Sequence, residues 1–310
     1  MKTGKDIPAH IYSQTSESIR QAFGKPFQSL GPQFPFLLLR FEQTDSDSQA
    51  EYAHRHDYYE LLYIEEGQGQ HFIDFESYPV QANTFYFLSK DQVHFWELTR
   101  PLRGYALLFP EDFLSFPLSD VVRSHDSGFF HKVAQAPYLN LDDTSARDIT
   151  ALLKGMEEEF YDEHAQSLTA LRAYFHILLT KLGRLHAAIH TDSDNSHHSS
   201  IVKQFEQLVA QHYRTEHSVK DYAKRLGVSS SHLRDTVKAV TGQAPGHIIR
   251  QRLALEAKRR LAHEDATIAE IGYRLNFEDA SYFARFFKRE TGLSPQAFRQ
   301  QFLEKYHVSD

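Results

Sequence analysis

The sequence predicts a mixed β and α protein in two parts, a β-rich N-terminal region and an all-α C-terminal third. Three observations predict it. Short aromatic and β-branched runs follow one another between residues 35 and 109, apolar residues then recur at helical spacing, and after Ser200 one helical pattern occurs twice. A chain of 310 residues can bury two separate cores.

The runs "PFLLLRFE", "YELLYIEE", "GQHFIDFE", "TFYFLS", "VHFWEL" and "GYALLFP" are punctuated by Gly, Pro, Asn or Asp. Segments of this length and spacing read as six strands of a sandwich or small barrel. In "HRHDYYELLYIEEG" (54–67), His54, His56 and Glu60 have the same parity and share a face of an extended strand. Leu62 and Ile64 continue that face. Tyr59, Leu61 and Tyr63 make the other face apolar as well, so parity leaves open which side is interior.

Helical spacing begins after Asn140, with Ile149, Leu152, Leu153, Met156 and Phe160. Leu168, Leu171, Phe175, Leu178, Leu182, Leu185 and Ile189 then alternate in steps of three and four. Such a seam serves either a second subunit or an internal hairpin with the preceding helix. Region 141–190 is expected to be a dimerisation element acting through Leu171, Phe175, Leu178, Leu182 and Leu185. Residues 191–200 carry no apolar side chain and are expected to be a linker.

From 201 to 310 the chain repeats. "SVKDYAKRLGV" (218–228) matches "TIAEIGYRLNF" (267–277), each opening on a predicted capping box, Ser218 with Asp221 and Thr267 with Glu270. The second helices match as well: Leu233 with Phe283, Val237 with Phe287, Lys238 with Lys288, and Gly242 with Gly292 as stop signals. Two helices joined by a tight turn, the second bearing Ser, Arg and Lys outward, form a helix-turn-helix. Between the copies lie about 20 helical residues, spanning ~30 Å, near the ~34 Å between successive major grooves on one side of a duplex.

Charge supports that reading. From Ser200 onward there are 18 Lys/Arg against 13 Asp/Glu, a net of +5, while the whole chain carries -7. A basic third in an acidic chain suits a polyphosphate partner. The absence of cysteine excludes disulfides, thiolate metal sites and cysteine nucleophiles. No apolar run reaches the ~18 residues of a membrane span, and the N-terminus lacks a signal-peptide core. The expectation is a cytoplasmic protein.

The segment "IAEIGYRLNFEDASYFARFFKRETGLSPQAFR" resembles the signature of the AraC/XylS family of bacterial transcription regulators. The N-terminal "HRHDYYELLYIEEGQGQHFIDFESYP…QVHFWE" is similar to the cupin-type effector domain of many members. The resemblance implies a cupin-like β-barrel over 1–140, a helical dimerisation element and a double helix-turn-helix domain over 201–310. It implies promoter DNA, a small-molecule effector and RNA polymerase as partners of a homodimer. No catalysis is expected of such a regulator.

In the first copy the expected DNA contacts are Ser230, Ser231, Arg234, Asp235 and Lys238, with Arg234 placed to read guanine. Asp235 either accepts from a cytosine or pairs with Arg234. In the second they are Ala280, Ser281, Tyr282, Arg285, Lys288 and Arg289, with Arg285 the base reader and Lys288 and Arg289 on phosphates.

The cupin resemblance places His94 beside His54, His56 and Glu60. Those four side chains suit a divalent metal, such as Fe, Mn, Zn or Ni, or an effector's polar groups. Departures from the metal-binding motif stand at Ser48, Asn83, Ser89 and Asp91. The expected effector pocket comprises His54, His56, Glu60, Phe72, Phe87, His94, Trp96 and Tyr105, with Phe85 beside them. Two other readings remain open at the level of sequence: a metal-dependent cupin enzyme carrying a DNA-binding domain, and a constitutive DNA-binding protein whose barrel is filled by side chains.

Overall fold

The computed structural model describes residues 9–15, 36–43, 52–110, 113, 137–161, 167–189 and 197–306. The chain divides into two compact units, one built on Pro8–Phe130 and Ala136–Thr191, the other on Asp192–Asp310.

In the N-terminal unit the described strands are β1 (Ala9–His10), β2 (Leu37–Arg40), β3 (Arg55–His56), β4 (Tyr59–Ile73), β5 (Glu76–Val80), β6 (Thr84–Leu88), β7 (His94–Phe109) and β8 (Tyr138–Asn140). The main sheet runs β2-β7-β4-β6-β8 with β5 also on β4, and β1 pairs with β3 in parallel. Four of the six predicted runs merge into two long strands. "YELLYIEE" and "GQHFIDFE" are both β4, and "VHFWEL" and "GYALLFP" are both β7.

Glycines explain why these strands bend instead of ending. The β4–β7 ladder shifts register between Ile64 and Gly69. A Cβ on Gly69 would lie 2.1 Å from the Glu97 carbonyl oxygen, and one on Gly104 would lie 2.1 Å from that of Tyr63. Both residues also have positive φ, 151° and 135°. Only glycine permits so close a backbone approach in that conformation, and the bulged ribbon folds over without a turn. The first half of β4 pairs with β6 and the second half with β5, giving two leaves. They meet at Tyr86, whose hydroxyl donates to the Pro79 carbonyl at 2.6 Å and whose ring meets those of His71 and Trp96 edge-on.

The other face of the first leaf packs against two helices, α1 (Asp143–Tyr161) and α2 (Ser167–Ile189). Tyr63 bonds Thr150 at 3.3 Å, Tyr105 donates to Glu157 at 3.0 Å, and Phe109 meets Phe175 at 4.8 Å between ring centroids. This face takes up the predicted seam. Leu171, Phe175, Leu178 and Leu182 are buried in the chain's own core, and Leu185 packs partly buried against it. The expected inter-subunit role of these five residues is therefore corrected: the seam is internal. A heptad stripe cannot distinguish a partner helix from a sheet, because both present an apolar surface to it.

The C-terminal unit contains α3 (His197–His212), α4 (Val219–Arg225), α5 (Ser230–Thr241), α6 (Pro245–His263), α7 (Ile268–Arg274), α8 (Ala280–Thr291) and α9 (Pro295–Tyr306). Residues 191–196 of the expected linker lie outside the described residues, and 197–200 form the first turn of α3. The second copy's capping box is complete, with Thr267 and Glu270 each satisfying the other's backbone N–H. In the first copy Ser218 accepts from the Asp221 N–H, but its hydroxyl donates to the Asp221 carboxylate at 2.6 Å. Asp is one methylene shorter than Glu, so its carboxylate meets the hydroxyl alone, where Glu270 accepts from both the Thr267 hydroxyl and its backbone N–H.

Candidate functional site

Between the two leaves of the sheet, β3, β4 and β7 bring together a cluster of buried polar side chains. His56 Nε2 lies 3.1 Å from His94 Nε2 and 3.5 Å from Glu60 Oε2, and His94 Nε2 lies 3.7 Å from the same oxygen. The ligand atoms of these three residues all fall within 4.8 Å of one another. Each is buried, although the residue types are ones that rarely leave water unpaired.

The imidazoles are oriented from behind. His56 Nδ1 donates to the Tyr58 carbonyl at 2.9 Å, which leaves Nε2 directed at Glu60 and His94. His94 Nδ1 lies 3.1 Å from His71 Nε2, and His71 stacks on Trp96 with centroids 3.5 Å apart. His71 Nδ1 is buried without a hydrogen-bond partner. A buried imidazole whose second nitrogen is fixed by a carbonyl or a neighbouring ring presents the first in one direction, as metal ligands and ligand anchors require.

Electrostatics divides the histidines. Burial lowers His56, but the charge and hydrogen bond of Glu60 outweigh it and hold His56 above its ordinary value. Burial raises Glu60, and the same pairing brings it below the usual carboxylate range. His94 and His71 are driven well down by burial, with repulsion from neighbouring histidines added, and burial takes His54 to about 4. Glu60 and His56 thus favour each other's charged form, while burial favours the neutral form of His54, His71 and His94.

The expected pocket is thus partly assembled. His56, Glu60, His94 and Trp96 stand together. His54 stands beside the converging set without joining it: its backbone bridges that of His94, its Nδ1 is 3.1 Å from the Tyr52 carbonyl, and its ring stacks on His10. Phe72, Phe87 and Tyr105 are not brought to the cluster. Phe72 pairs in register with Phe95 and stacks on it, on the face opposite His71 and Trp96. Phe87 is in register with Leu61, and Tyr105 with Tyr63, on the helix-facing side.

Sequence reasoning missed His71 for the reason it chose Phe72. Strict alternation from Glu60 along β4 selects even numbers, and the bulges between Ile64 and Gly69 reverse the parity. The glycines at 67 and 69 were the available signal.

In the C-terminal unit Leu233 and Val237 are buried on α5, and Phe283, Phe286 and Phe287 on α8. Ser231, Arg234, Asp235 and Lys238 are exposed with Ser230 half-buried, and Ser281, Tyr282, Arg285, Lys288 and Arg289 are exposed with Ala280 half-buried. Asp235 receives a 3.5 Å hydrogen bond from Ser231. Tyr282 is 54% exposed, unusual for a large aromatic side chain.

Family models match both units. An AraC-like ligand binding domain matches residues 36–173, and a helix-turn-helix domain matches 222–301. The HTH-type transcriptional activator RhaS of Enterobacter sp. (strain 638) is 23% identical over 250 residues, covering 80% of this chain and 87% of RhaS. Its counterpart from Salmonella arizonae is 24% identical over the same shares. Among solved structures, fatty-acid-bound ToxT from Vibrio cholerae is 16% identical, with a TM-score of 0.41, over 86% of this chain and 95% of that one. The C-terminal domain of AraT from Geobacillus stearothermophilus is 26% identical, with a TM-score of 0.32, over 34% and 88%.

Proposed function

We propose that the chain is a transcription regulator of the AraC/XylS type, its two units matched by an AraC-like ligand binding domain and a helix-turn-helix domain, and that these units divide the work. It is a ligand-responsive, DNA-binding regulator. The effector is held between the leaves of the N-terminal sheet by His56, Glu60 and His94, with His71 and Trp96 behind them. The observation that carries this is the convergence of two imidazole nitrogens and one carboxylate oxygen at a buried point. Such a cluster stabilises a fold poorly on its own, because burying charge costs more than an apolar core of the same volume. An arrangement of this kind is accounted for by something it binds.

The donor types support a second occupant. Two imidazole nitrogens and a carboxylate oxygen, spaced about 3–4 Å apart, suit a first-row divalent ion. His56, Glu60 and His94 would hold it, and it would offer an effector's oxygen an open position. The relatives are regulators, and we assign the site to sensing and not to catalysis. Thermal-shift titration with a metabolite panel, run with and without divalent metal, tests the assignment. No stabilisation by any combination, together with unaltered melting of His56→Gln, overturns it.

In the C-terminal unit α5 and α8 enter successive major grooves, with Arg234 and Arg285 reading bases and Lys238, Lys288 and Arg289 on phosphates. RNA polymerase is the expected protein partner, in keeping with the relatives' name of activator. A homodimer would use the outward stripe of α2, Thr169, Ala173 and Ile177, in place of the internal seam. Among the described helices none is long and apolar enough to cross a membrane.

A further inference from the structure

The two helix-turn-helix copies differ at one turn position, and the difference joins them. Gly227 and Asn276 occupy equivalent turns, and both have left-handed backbone, with φ of 66° and 61°. A Cβ on Gly227 would meet nothing within 4 Å. Asn276, in contrast, extends its amide into the first copy's half of the domain. Its Nδ2 donates to the Thr215 carbonyl at 3.2 Å, on the segment between α3 and α4. Beside it the His217 ring meets that of Phe277, with centroids 5.3 Å apart. Leu275, Asn276 and Phe277 form the turn between α7 and α8.

We propose that Asn276, with His217, is a positioning residue that sets the spacing and angle between the two recognition helices. The halves are already connected by α6, but a single helix fixes distance better than rotation about its own axis. A second point of attachment away from α6 removes that rotation. Asparagine is suited to the position, since it tolerates left-handed backbone and carries a donor that glycine lacks. The inference rests on α5 and α8 being the DNA-reading helices, and its first test does not use DNA.

The chain has no cysteine, so Lys220→Cys and Gln296→Cys, both at exposed positions, accept spin labels with no competing site. Double electron–electron resonance on the full chain should give one narrow distance distribution. Asn276→Gly keeps the left-handed turn and removes only the amide, and it should broaden that distribution. Asn276→Asp sets a carboxylate against the Thr215 carbonyl and should broaden it at least as much. For the second test, duplexes selected by the wild-type chain from a random library are lengthened by one base pair between the two half-boxes. The wild type's preference for the native spacing should fall about 2- to 10-fold in Asn276→Gly, the fold-change of one lost hydrogen bond. Unchanged distance distributions in both variants overturn the proposal. If the distributions broaden while DNA selection yields no paired half-boxes, the strut stands and the assignment of α5 and α8 fails.

Discussion

His71 Nε2 lies 3.1 Å from His94 Nδ1, so the ring that meets Glu60 and His56 through Nε2 is held from its far side by a second imidazole. His71 is itself pinned by the face of Trp96. The orientation of His94 thus depends on a residue that touches neither Glu60 nor His56 in any hydrogen bond we observe. Replacing His71 with Phe keeps the stack and removes the nitrogen. Effector or metal affinity should then fall about 10- to 100-fold, the usual effect of losing an outer partner of a ligating histidine. Isothermal titration measures it, and affinity equal to wild type would show that His71 is packing only.

Stability of the ligand-free chain should depend on pH through the same cluster. His54, His71 and His94 have folded values lowered below 6.5. The unfolded chain therefore takes up protons that the folded chain refuses, and stability is lost as pH falls from about 6.5. His56 acts in the opposite sense: its raised value contributes stability that is complete below 6.5 and lost as pH rises through the folded value. Three groups outweigh one, and the N-terminal unit should lose up to ~4 kcal/mol per pH unit on the acid side of 6.5. Urea melts at pH 7.5, 6.5 and 5.5 check this. Equal midpoints at all three would contradict the buried neutral histidines.

Adjacent residues of α2 should behave oppositely. Leu178 is 0% exposed and Ile177 is 45% exposed. Leu178→Ala should cost about 2–5 kcal/mol of N-terminal stability, as a buried truncation leaves a cavity. Ile177→Glu should leave stability within ~0.5 kcal/mol and, if the outward stripe joins two copies, should halve the mass seen by light scattering. A Leu178→Ala variant that is monomeric and fully stable would restore the seam to the subunit interface.

DNA contacts divide by their response to salt and sequence. Arg285→Ala should cost about 1–3 kcal/mol on the preferred site and relax selectivity at one position. Lys288→Ala should weaken binding evenly across sequences and lower the slope of log affinity against log salt by about one. Fluorescence anisotropy across a salt series separates them. Identical behaviour of the two variants would dissolve the distinction between reading and positioning.

The helical third was legible because its signals are local: a cap, a 3.6-residue period and a glycine stop each act within a few residues. Leu233, Val237, Phe283 and Phe287 are buried as spacing predicts. The β unit was legible in its runs and not in its faces. Alternation holds along β4 only as far as Ile64, and past the bulges Phe72 and His71 exchange sides. Phe87 and Tyr105 were misplaced for a different reason. Both faces of the first leaf are apolar, one toward the cluster and one toward α1 and α2, and composition does not say which is which. The seam of α2 was read correctly as buried and wrongly as to what buries it.

Glu60 and Leu61 are successive residues of β4, yet Glu60 faces the histidines while Leu61 lies in the core shared with α1 and α2. One thickness of backbone would separate an effector held at Glu60 from the helices. A tilt of that strand that improves the fit of Glu60 to its ligand levers Leu61 and Tyr63 the other way, as a seesaw does across its pivot. Sensing of that kind would need no relay of side chains, because the strand itself would be the lever.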